Sequence, residues 1–143
     1  MSANNELLER YVELYNQGDL DACMELYAVD AVQLMHDGLF EGRGEIQERL
    51  ARDLTAFPDA TYTVASFVEH GDSFADEWTF TGTNHGPFRL PDGTEVPSTG
   101  KRVEIKGMEL VQVRDGKIVV DNLYYDFMAA LAQLGLVPEG ALA

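Results

Sequence analysis

From residue 61 to residue 125 the chain alternates β-compatible runs with turn signals, and this pattern restricts the fold more than any other feature of the sequence. Thr61 to Val68 is rich in β-branched and aromatic residues, and His70-Gly71-Asp72-Ser73 reads as a hairpin turn. Phe74 to Thr83 returns and carries the only tryptophan, Trp78. Arg102 to Val113 is the next strand, Arg114-Asp115-Gly116-Lys117 a tight turn, and Ile118 to Tyr125 the last strand. Long strands that follow one another through short turns pair antiparallel, so a single sheet is expected. Residues 84–100 hold three of the five prolines and three glycines, and read as a long loop or irregular hairpin.

The first sixty residues carry a different period. Leu7, Leu8, Tyr11, Leu14 and Tyr15 recur at helical spacing after a cap at Asn4 or Asn5, and this helix stops near Gly18. Asp19 caps a second short helix with Leu20, Cys23, Met24 and Tyr27 along one face. Ala31 to Met35 is a short strand on which Val32, Leu34 and His36 share a face, and Asp37-Gly38 is a turn. After a loop at residues 41–45, Ile46, Leu50 and Leu54 mark a third helix, ended by Phe57-Pro58-Asp59 because proline disfavours a helical residue before it. Phe127 to Leu134 reads as a short final helix. Helices grouped early and strands late give an α+β class, and with no repeat or linker the 143 residues are expected to form one domain, 1–143.

The formal net charge is -15, which repels phosphate backbones and anionic lipid surfaces, so neither nucleic acid nor a membrane is an expected partner. The start, Met-Ser-Ala-Asn-Asn-Glu, lacks a basic and apolar leader, and a soluble cytoplasmic protein is the expectation. Cys23 is the only cysteine, and His36, His70 and His85 fall in no ligand-spaced motif, so no metal is expected. There is also no dinucleotide or phosphate-binding glycine motif. What remains is acid/base chemistry on an apolar organic molecule, without a cofactor.

Asp126 is the leading candidate for that chemistry. If Ile118 to Asp126 is regular strand, Ile118, Val120, Asn122, Tyr124 and Asp126 face one way, as a pocket wall with one acid would. The same Asp126 is equally well placed to cap the final helix. The neutral donors that would accompany an acid there are Asn84, His85, Asn122 and Tyr124, with His85 and Asn84 preferred. His36 lines a pocket if Val32 and Leu34 face inward. Glu109 falls on the face of Val103, Ile105, Val111 and Val113 by strict alternation, although a bulge at Gly107 would turn it outward. Trp78, Phe88 and Tyr124 are the aromatic candidates for ligand contact, with Phe88 at a pocket rim.

Several local motifs occur in a telling order. They are Phe57-Pro58-Asp59, Trp78 followed by Thr81-Gly82-Thr83 and Gly86, Ser98-Thr99-Gly100-Lys101, Arg114-Asp115-Gly116-Lys117-Ile118, Asp126, and Gln133-Leu134-Gly135-Leu136 with Pro138. In this order the chain resembles the SnoaL-like polyketide cyclase family of the nuclear-transport-factor-2-like cone fold. The resemblance implies three N-terminal helices, a curved mixed or antiparallel sheet wrapped around an apolar pocket, a short C-terminal helix, and a homodimer through the sheet. It also implies ring closure by intramolecular aldol condensation or a related isomerisation, with no cofactor and Asp126 as general acid/base. This chain has Asn84 where the family has histidine, with His85 one residue later, and Val120, Asp121 and Asn122 where an acid, a histidine and a tryptophan are common. A non-catalytic small-molecule binding protein of the same fold is the alternative. An epoxide hydrolase ranks third, because it needs two carboxylates about a water and usually an arginine between them; only Asp126 with Glu109 or Asp76 would serve, and no arginine is obviously placed.

Overall fold

A computed structural model describes residues 1–137. Helix α1 (Ala3–Asn16) is capped by Ser2, two residues before the expected cap: its hydroxyl accepts from the Asn5 amide. Helix α2 (Leu20–Met24) is capped by Asp19 as expected. Strand β1 (Tyr27–Met35) starts four residues earlier than the sequence pattern indicates, and β2 (Gly38–Glu41) pairs back on it through a tight turn. Helix α3 (Gly42–Ala56) follows, then β3 (Thr61–His70) and β4 (Ser73–Thr83). The Pro/Gly-rich segment holds a two-residue hairpin, β5 (Phe88–Arg89) with β6 (Glu95–Val96). Strands β7 (Arg102–Arg114) and β8 (Lys117–Tyr125) and helix α4 (Phe127–Gln133) complete the described chain. Pro138, part of the last motif, lies outside the described residues.

The six-stranded sheet has the order β2-β1-β8-β7-β4-β3, with β1 parallel to β8 and every other neighbour antiparallel. The mixed pairing arises because the chain returns to the middle of the sheet beside β1 only after β2, α3, β3, β4, the β5–β6 hairpin and β7. The concave face is covered by α1 and α3, and its apolar rows interlock with Leu8, Leu14, Tyr15, Ile46 and Leu50. Burying this many Leu, Ile and aromatic side chains supplies roughly 1.5–3 kcal/mol each, the main driving force for the fold. Cys23 is fully buried within this core, as its sequence context predicts. No helix among the described residues is long and apolar enough to cross a membrane.

Two irregularities decide which side chains reach the interior. In the β7–β8 pair, Gln112 faces Val120 but Val113 faces Ile118, so Val119 is an extra residue on β8. In the β1–β8 pair, residues 28–31 of β1 lie opposite residue 119 alone. A one-residue slip exchanges the two faces of a strand. After the bulge Asp121, Leu123 and Tyr125 point inward, and Asn122 and Tyr124 point out; on β1 Ala31 and Gln33 are buried while Leu34 is exposed. Both assignments reverse the faces expected from unbroken alternation.

Candidate active site

Three inward rows of the sheet place polar groups side by side. Gln33, Asp121, Val111 and Phe74 occupy one row, Leu123, Glu109 and Asp76 the next, and Tyr125, Gly107 and Trp78 the third. Glu109 lies directly opposite Asp76 and diagonal to Asp121, a separation that a long side chain bridges. Its inward direction agrees with strict alternation along β7. No bulge forms at Gly107, which pairs regularly with Trp78 and Tyr125. A Cβ at Gly107 would stand 2.4 Å from the Trp78 ring, so the absent side chain is what lets the indole lie across the strand.

Asp76, Glu109 and Asp121 therefore form a group of three carboxyls within hydrogen-bonding reach in sequence Asp76–Glu109–Asp121. None takes part in an ion pair; among the described residues these are Arg10–Glu13 and Arg49–Asp53. No N–H or hydroxyl donates to either oxygen of Asp76 or to Oδ1 of Asp121. The donor left for them is the Glu109 carboxyl itself, once protonated. Burial, then repulsion by Asp121 and Asp76, pushes the Glu109 carboxyl well above the usual range. Burial also raises Asp121, against the stabilising hydrogen bond from Gln33, and raises Asp76 to about 6. Perturbed carboxyls grouped about a cavity are what acid/base chemistry near neutral pH requires.

The Asp76 shift has a consequence for stability. Its folded value lies above the ordinary 3.8, so the folded state holds the proton more tightly than the unfolded chain between pH 3.8 and about 6. Stability is lost through that window as pH rises, by roughly 1.4 kcal/mol per pH unit. Asp76→Asn removes the cost. Its advantage over the wild type in urea melts is expected to grow from pH 4 to pH 6, and a constant difference would contradict the assignment.

Charge next to this group is supplied by Arg49 of α3, buried although it is an arginine. Its Nε donates to Gln33 Oε1 at 2.6 Å and one terminal nitrogen donates to Asp53 at 2.9 Å, while Gln33 Nε2 donates to Asp121 Oδ2 at 3.1 Å. The line Asp53–Arg49–Gln33–Asp121 satisfies groups that would otherwise be costly to bury. Burial raises the Asp53 carboxyl, with Arg49 opposing.

The interior narrows towards the carboxyls. An outer cleft of about 330 Å³ is lined by Met35, His36, Asp53, Phe88, Tyr125 and Phe127, among others. A chamber of about 40 Å³ lies between Tyr62, Trp78, Phe80, Ile105 and Tyr125, and a smaller one of about 20 Å³ touches Asp76, Glu109, Asp121, Tyr11 and Tyr62. Arg49, Tyr62, Trp78 and Leu123 line both chambers, and Leu8, Val12 and Val64 line both the smaller one and a cleft of about 340 Å³ beside α1. The smaller chamber has room for one water-sized group.

Of the residues singled out in the sequence, His36, Trp78, Phe88 and Glu109 line this interior. His36 reaches the cleft from the β1–β2 turn rather than from a strand face, with its ring stacked on Phe127 at 4.1 Å; burial lowers its pKa and favours the neutral form. The others are elsewhere. Asp126 is exposed and caps α4, its Oδ1 accepting from the Ala129 amide at 3.0 Å, and it lines none of these chambers. Asn122 and Tyr124 lie on the outer face of the sheet. His85 is exposed on the loop after β4, where it neighbours Asp59. Asn84 is completely buried, but as a clamp: its amide nitrogen donates to the Ala56 and Gly86 carbonyls, and its amide oxygen accepts from the Thr99 amide and hydroxyl. With both ends occupied it has no donor left for a substrate.

The site residues that the sequence did not single out for this chemistry are Gln33, Arg49, Asp53, Asp76 and Asp121, with Asp76 entering only as a possible second acid of an epoxide hydrolase. A signal existed for two of them. Asp76 alternates with Phe74, Trp78 and Phe80, all buried, and Arg49 falls beside Leu50 on the apolar face of α3. Asp121 and Gln33 could not be found this way, because the bulge and the β1 irregularity set their faces.

A family model described as SnoaL-like polyketide cyclase matches residues 5–134. Among solved structures, IdmH of Streptomyces antibioticus, a proposed polyketide cyclase, is 30% identical, with 92% of this chain and 97% of that chain covered and a TM-score of 0.74. AclR of Streptomyces galilaeus, a proposed hydroxylase, is 27% identical over 94% and 96% of the two chains, at a TM-score of 0.80. A SnoaL-like protein of Jannaschia sp. CCS1 is 21% identical over 95% and 94%, at 0.83, and shares the fold. No match was found among curated proteins.

Proposed function

Since the chain belongs to the SnoaL-like polyketide cyclase family, we propose that it is a cofactor-independent cyclase or isomerase acting on a hydrophobic carbonyl compound, with Asp76, Glu109 and Asp121 as its acid/base group. The observation that carries this reading is Glu109 set between Asp76 and Asp121 beside chambers lined by Tyr62, Trp78 and Tyr125, where burial and its two acidic neighbours favour the protonated form of Glu109. The substrate's carbonyl end reaches the carboxyls by displacing the Trp78 and Tyr62 side chains, since the chamber there holds only one water-sized group, while its body remains in the outer cleft. Asp76 takes the proton from the α-carbon as Glu109 donates its own to the carbonyl oxygen, giving an enol. The α-carbon then bonds to a second carbonyl carbon of the same molecule. The new alkoxide takes the proton from Asp76, and the first oxygen returns its proton to Glu109, so no proton is gained or lost. An isomerase differs only in returning the proton to another carbon.

The test is α-deuterium uptake by aryl alkyl ketones in D2O, followed by proton NMR, using compounds that raise the melting temperature. Catalysed exchange is expected in the wild type and not in Glu109→Gln. Thermal stabilisation by such ketones with exchange no faster than buffer would instead make the protein a carrier.

The same reading includes a homodimer. Leu34, Asn122, Leu110, Ala75 and Val68 form one row across five strands of the outer face, with Tyr124 and Met108 paired beside it. Val68 is 68% exposed and Tyr124 53%, and a contiguous apolar face of this kind is normally covered. Leu110→Glu is expected to turn a dimer into a monomer by light scattering; a wild type that is already monomeric at high concentration would refute the dimer.

A further inference from the structure

Gln33 takes no part in the proton transfers above, yet its completely buried side chain joins the charged pair to the carboxyls. An arginine offers only donors, so the Gln33 amide oxygen must face Arg49 Nε, and the amide nitrogen must then face Asp121. Arg49 cannot turn to release it without leaving Asp53. Asp121 thus meets a fixed donor, whereas Asp76, on the other flank of Glu109, meets none. A donor aimed at a carboxylate favours its ionised form.

We propose that Gln33 is a positioning residue: locked by Arg49, it keeps Asp121 ionised and so places the proton of the three-carboxyl group on Glu109 rather than on Asp121. The inference rests on the reading of those carboxyls as the acid/base group. The groups facing them come from every surrounding element: Tyr11 of α1, Tyr27 of β1, Arg49 and Asp53 of α3, Tyr62 of β3, Asp76 of β4 and Glu109 of β7. Burial holds the three tyrosines in their neutral form. Arg49 is the cation of this set, and its hydrogen bonds go to Gln33 and Asp53. The asymmetry between Asp121 and Asp76 therefore comes first from the Gln33 donor, with the charge of Arg49 favouring ionised Asp121 in the same direction.

Carboxyl-carbon NMR titration of the full chain tests this without a substrate. In the wild type Asp121 is expected to titrate below both Asp76 and Glu109; Asp121 titrating last would overturn the proposal whatever any variant does. In Gln33→Met, and in the shape-conserving Gln33→Glu, the Asp121 midpoint is expected to rise by about one pH unit and the Glu109 midpoint to move as well. Midpoints within a few tenths of wild type in either folded variant would equally overturn it. The acid/base reading fails separately, if Glu109→Gln keeps wild-type exchange. When both hold, Gln33→Met retains turnover with a pH profile displaced along with the Asp121 midpoint, which loss of packing alone would not produce.

Discussion

Replacing Glu109 by Gln is expected to lower turnover by roughly a hundred- to ten-thousand-fold, the usual contribution of a positioned acid or base. The amide matches the carboxyl in shape and can still donate to Asp76 or Asp121, so the fold is retained while the transferable proton is lost. The control is Asp126→Ala. It removes the cap bond to Ala129 and is expected to cost about 1 kcal/mol of stability with little change in turnover. Steady-state rates for the two variants at equal folded fraction decide between the sites. A collapse of activity in Asp126→Ala with Glu109→Gln active would restore Asp126 to the role that family resemblance implies for it.

Asn84→Ala is expected to destabilise the protein by about 3 kcal/mol or more, a large fraction of the stability of a domain this size. The substitution leaves the half-buried Gly86 carbonyl and Thr99 amide without their partner, takes one of three donors from the Ala56 carbonyl, and opens a void where Asn84 is completely buried. It also releases the loop that carries Phe88 to the rim of the outer cleft. Urea denaturation measures the loss directly. A variant of wild-type stability but no activity would mean that Asn84 acts on the substrate instead. Gly86, two residues on, admits no side chain, since a Cβ there would overlap the Thr55 carbonyl oxygen at 1.9 Å.

Much of the fold is legible in the residues themselves. The turn signals at His70-Gly71 and Asp115-Gly116, the helical spacing before residue 57 and the Pro/Gly-rich segment each correspond to an element or connection of the structure. Glu109 is also legible, because β7 alternates without interruption from Val103 to Val111. The site is less so. Its centre depends on β8 and β1, the two strands whose pairing is irregular, and the bulge at Val119 moves Asp121 into the interior and Asn122 and Tyr124 out of it.

Asp126 shows how a correct local reading and a functional one compete. An aspartate just before a helical run is a favoured cap, and the structure uses it so. Gln33 and Arg49 show the opposite: polar residues that composition assigns to the surface are buried, because Asp121, distant in sequence, satisfies Gln33, while Gln33 and Asp53, one helical turn away, satisfy Arg49.

By itself the sequence determined the class of fold and the order of the elements apart from β2 and the β5–β6 hairpin, because periodicity, turns and caps are properties of neighbouring residues, and its motifs pointed to the family. Only the tertiary structure decided where the acid/base group stands. Asp76, Glu109 and Asp121 come from three strands, and they meet because register, set by two strand irregularities and by the space that Gly107 leaves for Trp78, turns all three to the same face. Register is a relation between strands, and a raised carboxyl pKa is a consequence of what several strands bury together.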